Sequence, residues 1–165
     1  MRVAAIGHLA RDQAQLLELA AASAAVSHDH PDAIAGAQAV ALAIWLARAG
    51  HERSAIRAQI AGRFGYDLGQ TVAGIRPWYR FDVSCNGTVP PAMVCALEAK
   101  DYEDAVRAAV SLGGDSDTLA CIAGSIAEPL YGLPEEIAEA TRQRLDAPLL
   151  AVVDQVYASN RSGGG

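Results

Sequence analysis

Apolar residues recur along this 165-residue chain at helical spacing, and no stretch keeps the alternation of a strand. From Asp12 to about Val26, Leu16, Leu17, Leu19 and Ala20 fall on one face, which predicts a helix. The run stops at Ser27-His28-Asp29-His30-Pro31. Pro31 disfavours the α region for His30 and suits the first position of a new helix. That second helix, Pro31 to about Ala49, is apolar nearly all round, through Ile34, Ala37, Val40, Ala41, Ile44 and Trp45. Such a helix belongs in the centre of a bundle. Gly36 admits a close neighbour, and Gly50 ends the helix.

The rest of the chain reads the same way. Residues 1–10 form a short apolar lead-in, expected to be irregular and broken by Gly7. Residues 52–64 make a more polar helix with Ile56 and Ile60 at apolar spacing. Residues 65–87 are the least regular part, punctuated by Gly65, Gly69, Gly74, Pro77 and Gly87, with a short helix near Leu68–Ala73. Trp78, Tyr79 and Phe81 sit in this stretch, either as a ligand platform or as pins that hold a long loop on the core. Thr88 caps a helix running to about Ala99, and Asp101 caps another through Leu112. A central helix follows from Asp115 to about Glu128, stopped by Pro129 and Gly132. Two more span Pro134 to about Leu145 and Pro148 to about Tyr157. The sum is an all-α, compact multi-helix bundle: one domain over 1–158 and a flexible polar tail over 159–165, with Ala33–Ala47 and Leu119–Ala127 innermost.

Composition narrows the function. Hydrophobic residues make up 52% of the chain but aromatics only 5%, so much of the core is alanine and its helices must approach closely. The net charge is −6 and there is no basic tract, which argues against nucleic acid as a partner. The longest apolar stretch, Ala33–Ala47, is too short to span a bilayer, and no signal peptide precedes Arg11 and Asp12. The expected location is cytoplasmic, without membrane contact. Cys85, Cys95 and Cys121 have neither disulfide-framework nor zinc-finger spacing and read as small hydrophobes in a reducing compartment.

Two constellations carry candidate chemistry. Gly113-Gly114-Asp115-Ser116-Asp117-Thr118 ends one helix and starts another, and places hard oxygen ligands in one small volume. The same residues also suit a plain capped helix start. His28-Asp29-His30-Pro31 precedes the other buried helix. A zinc pair there lacks a third ligand; a histidine capping the helix and a histidine touching substrate fit the spacing equally. Should these two helices pack side by side and parallel, both loops meet in one cleft. Their N-terminal N–H groups would suit a diphosphate with Mg²⁺ nearby. No nucleophile elbow, Walker loop or dinucleotide fingerprint is present.

Read together, Asn86-Gly-Thr-Val-Pro-Pro-Ala, Leu97-Glu-Ala-Lys-Asp-Tyr-Glu-Asp-Ala-Val-Arg, Ser111-Leu-Gly-Gly-Asp-Ser-Asp-Thr-Leu-Ala and Ser27-His-Asp-His-Pro-Asp-Ala-Ile-Ala-Gly-Ala resemble the ADP-ribosylglycohydrolase family, and within it the type that acts on dinitrogenase reductase. The resemblance runs from Met1 to about Leu145. It implies the family's all-α bundle and a pair of Mg²⁺ ions, Mn²⁺ in some members, at the base of an ADP-ribose cleft. Asp115, Asp117 and Thr118 match the family's C-terminal metal-ligand motif. His30, and more weakly His28, match the segment bordering ADP-ribose; Gly113 and Gly114 match the turn that shapes the site. No residue here is matched to a catalytic acid or base. The implied reaction is hydrolysis of the bond from ribose C1″ to a side-chain nitrogen or oxygen, or to a small molecule, with an oxocarbenium-like transition state.

The family's N-terminal Gly-Asp turn, its neighbouring acidic residue and its Thr-Asp-Asp motif have no match. Met1-Arg2-Val3 resembles an internal segment. The chain is therefore expected to correspond to the C-terminal part of the domain, N-terminally truncated, and to turn over only with a missing N-terminal half or a complementing partner chain. The alternative is a catalytically inactive ADP-ribose- or metal-binding module, or a plain helical interaction module. Apolar faces left uncovered by absent helices would favour a homo-oligomer or a partner.

Overall fold

The computed structural model describes residues 1–162, and every regular element among them is a helix. They are α1 Ala4–Leu9, α2 Gln13–Ala25, α3 Pro31–Arg48, α4 Arg53–Phe64, α5 Val72–Ile75, α6 Cys85–Glu98, α7 Tyr102–Ser111, α8 Ser116–Tyr131, α9 Glu135–Arg142 and α10 Ala147–Ser162. They fall into two compact units, Met1–Gly132 and Leu133–Gly165.

In the first unit α3, α6 and α8 pack against one another at the centre. Residues 39–44 of α3 and 91–97 of α6 are buried without a break, as are Leu119, Ala123 and Ile126 of α8. α6 thus joins the two helices expected to be innermost. α1 and α2 cover α3, and α7 covers α6 and α8. Leu16, Ala20 and Ala24 form the buried stripe of α2, whereas Leu19, expected on that face, is exposed. No helix among the described residues is long and apolar enough to cross a membrane.

Local chemistry explains most boundaries. Asp12 accepts from the Gln15 N–H at 2.8 Å and starts α2. α3 ends in a Schellman turn: Gly50, at φ +79°, donates to the Ala47 carbonyl, and His51 donates to Leu46. The Gln38 amide crosses from α3 to the Leu17 carbonyl of α2 at 3.0 Å.

The structure corrects four expectations. Residues 4–9 are helical: a Cβ on Gly7 would lie 2.7 Å from Ile44 Cβ and 2.8 Å from the Ala41 carbonyl, so this glycine lets α1 lie directly on α3. Arg48 donates to the carbonyls of Gly7 and His8 and ties the two helices together. The short helix of the irregular stretch is Val72–Ile75, capped by Thr71. α6 starts at Cys85, because Ser84 accepts from the Gly87 N–H at 3.0 Å; Thr88 lies inside it and donates to the Asp82 carbonyl. α8 continues through Pro129 to Tyr131, whose hydroxyl donates to the Ala96 and Ala99 carbonyls.

The second unit holds α9 and α10, linked by an ion pair of 2.8 Å between Arg142 and Asp154. The segment expected as a tail is helical as far as Ser162, and the remainder, 163–165, lies outside the described residues.

Two glycines test this packing in opposite directions. Gly7→Ala should destabilise the protein by about 2 kcal/mol through overpacking against α3. Gly62 sits within α4 with open space where a Cβ would go, so Gly62→Ala should stabilise by about 0.5–1 kcal/mol. Denaturant midpoints of the two variants check both signs.

Candidate functional site

The turn into α8 is set by two consecutive left-handed glycines, Gly113 at φ +75° and Gly114 at φ +64°. Only glycine adopts this conformation without cost. Gly114 is constrained twice, since an added Cβ would stand 3.0 Å from the Tyr79 ring and 3.2 Å from the Phe81 Cα. The acidic turn therefore lies directly on the 79–81 segment.

Asp115 occupies the N-cap position of α8, but its carboxylate accepts no capping bond. It is left available for other partners. The Asp117 carboxyl is held below the usual carboxylate range, first by a proton shared with the neighbouring Asp115 carboxyl and then by the Thr118 N–H, which donates to Asp117 Oδ1 at 2.9 Å. Asp117 is exposed, while Asp115 and Thr118 are half-buried.

Asp115 and Thr118 line a cavity of about 460 Å³ together with His28, Arg2, Gly36 and Thr88. The loop before α3 and the start of α8 thus share one cleft. His28 is the histidine that reaches it, with Nδ1 2.8 Å from the Ser27 hydroxyl. His30 does not line it: its Nδ1 accepts from the Asp32 N–H at 3.2 Å and caps α3. Asp117 is outside the lining as well. Gly113 and Gly114 shape the turn and do not line the cavity. Sequence reasoning missed Arg2 and Gly36 as lining residues. Gly36 was visible as a small residue in a buried helix, and a Cβ there would come within 3.2 Å of Cys85.

The family model for ADP-ribosylglycohydrolase matches residues 1–164. The chain belongs to the ADP-ribosylglycohydrolase family. No curated protein matches the sequence.

For this ADP-ribosylglycohydrolase family member, the cation implied by the family can be weighed against its own donors. Two carboxylates two residues apart and an adjacent hydroxyl are hard oxygen ligands of the kind Mg²⁺ takes. They fit part of a coordination shell. Among the described residues no group of three or more His, Cys, Asp or Glu side chains is placed to hold a metal.

Tyr79 is buried and pins the segment, while Trp78 and Phe81 are exposed. Tyr66, from the preceding loop, is buried with its hydroxyl unpartnered. Burial, and after it the charges of Cys85 and Asp32, push the Tyr66 phenol up to about 12.

Gly113→Ala should cost about 1–2 kcal/mol from its left-handed backbone. Gly114→Ala should cost more, because the Tyr79 and Phe81 contacts add to the same strain; urea melts of the two variants give the order. The raised Tyr66 pKa has a defined sign. The unfolded phenol ionises near pH 10 while the folded one keeps its proton to about 12, so stability should fall as pH rises between those values and be unaffected by this group below them. Tyr66→Phe should remove that contribution to the slope.

Proposed function

We propose that the chain binds ADP-ribose in the cleft between the α3 and α8 N-termini and serves in Mg²⁺-dependent hydrolysis of an ADP-ribosyl bond. The observation that carries this reading is the uncapped Asp115 carboxylate, lining the same cavity as Thr118 and His28. Asp115, Asp117 and Thr118 would hold Mg²⁺, which supplies positive charge against oxygen atoms of the substrate and a polarised water. The residues of the chain have separable tasks. Arg2 and His28 offer donors to a bound phosphate. The first-turn N–H groups of α8 face the N-terminal end of the helix, where its dipole favours an anion. The apolar walls, Val40, Val89 and Ile122, exclude water from one side.

Hydrolysis is proposed to require further oxygen ligands from another polypeptide, whether a complementing chain or a second copy. Two carboxylates and one hydroxyl leave much of the shell of two ions to water. The reading as a binder without turnover is favoured by that same count of donors, and a hydrolysis assay on the isolated chain separates the two.

Calorimetric titration of ADP-ribose tests the reading. Binding is expected with Mg²⁺ and lost with EDTA. Asp115→Ala and Asp117→Ala should each weaken it by about tenfold or more. Their unfolding free energies should stay within about 0.5 kcal/mol of the parent, since neither side chain packs in the core. Unfolding of both variants would make the carboxylates structural, and affinity unchanged by EDTA would remove the metal.

A further inference from the structure

The two units differ in what becomes of their apolar residues. In the first unit these form a core, the cavity of Asp115 and a larger cavity of about 650 Å³ walled by aromatic residues, Tyr66, Trp78 and Phe81 among them. In the second unit none of residues 133–159 is buried, and none belongs to a hydrophobic cluster. Yet α10 carries Leu149, Leu150, Val153, Val156 and Tyr157 at helical spacing. With 3.6 residues per turn, the five fall in a stripe about 120° wide centred on Val153. Leu150, Val153 and Val156 are half-buried, while Leu149 is 55% exposed and Tyr157 39%. A helix of 16 residues is marginal in water on its own, and covering such a stripe is what stabilises it.

Among the described residues α9 does not cover the stripe. Arg142, at the end of α9, pairs with Asp154 at 2.8 Å. Asp154 follows Val153 directly and so lies about 100° round the helix from it. The ion pair therefore holds α9 at the flank of α10 and leaves the stripe open.

The stripe is complementary to itself. Read about Val153, Leu149 mirrors Tyr157 and Leu150 mirrors Val156, apolar for apolar. Two α10 helices packed antiparallel about a two-fold axis at Val153 would set Leu149 beside Tyr157 of the other copy and Leu150 beside Val156. Charge selects this orientation. Asp146 caps α10, accepting from the Leu149 N–H at 3.0 Å, and lies on the face of Val153 about two turns before it. Parallel packing would set the two Asp146 carboxylates against each other, whereas antiparallel packing sends them to opposite ends. Arg144 stands in the turn before α10, next to the positive end of that helix's dipole. Antiparallel packing brings it to the C-terminal end of the other copy's α10, where a cation is favoured.

We propose that α10 is a self-association surface, on which a second copy of the chain docks antiparallel about Val153. The footprint of one such helix is about 24 Å by about 10 Å, well below the roughly 800 Å² that each partner gives to a standard stable interface. The dimer is therefore weak and reversible. It does not use the cleft of Asp115 and stands whether or not ADP-ribose binds there.

Sedimentation velocity on the full chain at a series of concentrations tests the proposal. A monomer–dimer equilibrium at micromolar concentrations is expected. Leu149→Glu and Tyr157→Lys, both at exposed positions outside the core, should each weaken the dimer by about tenfold or more. Mixed in equal amounts, the two variants should associate again, because position 149 of one copy lies beside position 157 of the other and the introduced charges meet with opposite sign. Recovery in the mixture separates a lost interface from a misfolded helix, since neither variant can repair the other's fold. Single variants that weaken the dimer with no recovery in the mixture would overturn the proposal, as would a dimer unchanged in both, which moves the interface off α10. A monomer at every concentration up to millimolar would overturn it as well. In that case a melting temperature lowered by Leu149→Glu assigns the stripe to a surface of the same chain, and an unchanged one assigns it to a different protein.

Discussion

Close approach of small residues is the constraint on which the bundle rests. Ala39, Ala41 and Ala43 of α3 are fully buried, as are Ala92 and Ala96 of α6 and Ala123 of α8. Each alanine removes little apolar area from water, so such a core is stable only when backbones come near enough for many weak contacts. Gly7 and Gly36 are points of such close approach, against Ile44 and against Cys85 and Val89 respectively. The same closeness brings the starts of α3 and α8 to one cleft. The position of the candidate site is thus a consequence of core composition.

Within that frame, the α8 start is fixed from both sides. Gly113 and Gly114 turn the chain in the left-handed region, and the second of them rests on Tyr79 and Phe81. Because the backbone alone makes the turn, Asp115 is not consumed as a cap. In α2, α5 and α7 the N-cap side chain does accept from the first turn, through Asp12, Thr71 and Asp101. The contrast separates a carboxylate that holds a helix start from one that makes no capping bond.

The sequence made much of this readable, for identifiable reasons. The all-helical class, the burial of α3 and α8 and the Gly113–Gly114 turn follow from periodicity and from the conformational freedom of glycine, which are local properties. α1 was hidden because six residues with an internal glycine have little helical propensity, and packing on α3 supplies the rest. The start of α6 was misplaced at Thr88 because Pro90 and Pro91 read as a first turn; Ser84 caps the helix earlier, and the prolines fall inside it. Spacing could not separate His28 from His30. The structure does, with one in the cleft and the other capping α3. Tyr66 gave no signal at all, since its surroundings are assembled from segments far apart in the chain.

The first turns of α6 explain how two cavities of different character lie side by side. Ser84, Cys85, Thr88 and Val89 line the cavity of Asp115, while Asn86, Gly87, Pro90 and Pro91 line the aromatic one. This is the division that a 3.6-residue period makes between opposite faces of one helix. The prolines sit on the aromatic side, and the N–H groups they lack leave acceptors on that side. On the other side, Thr88 donates its hydroxyl to the Asp82 carbonyl and stays buried. A single helix start, displaced one turn from where its prolines would have put it, therefore serves as the wall between the cleft of Asp115 and the aromatic cavity.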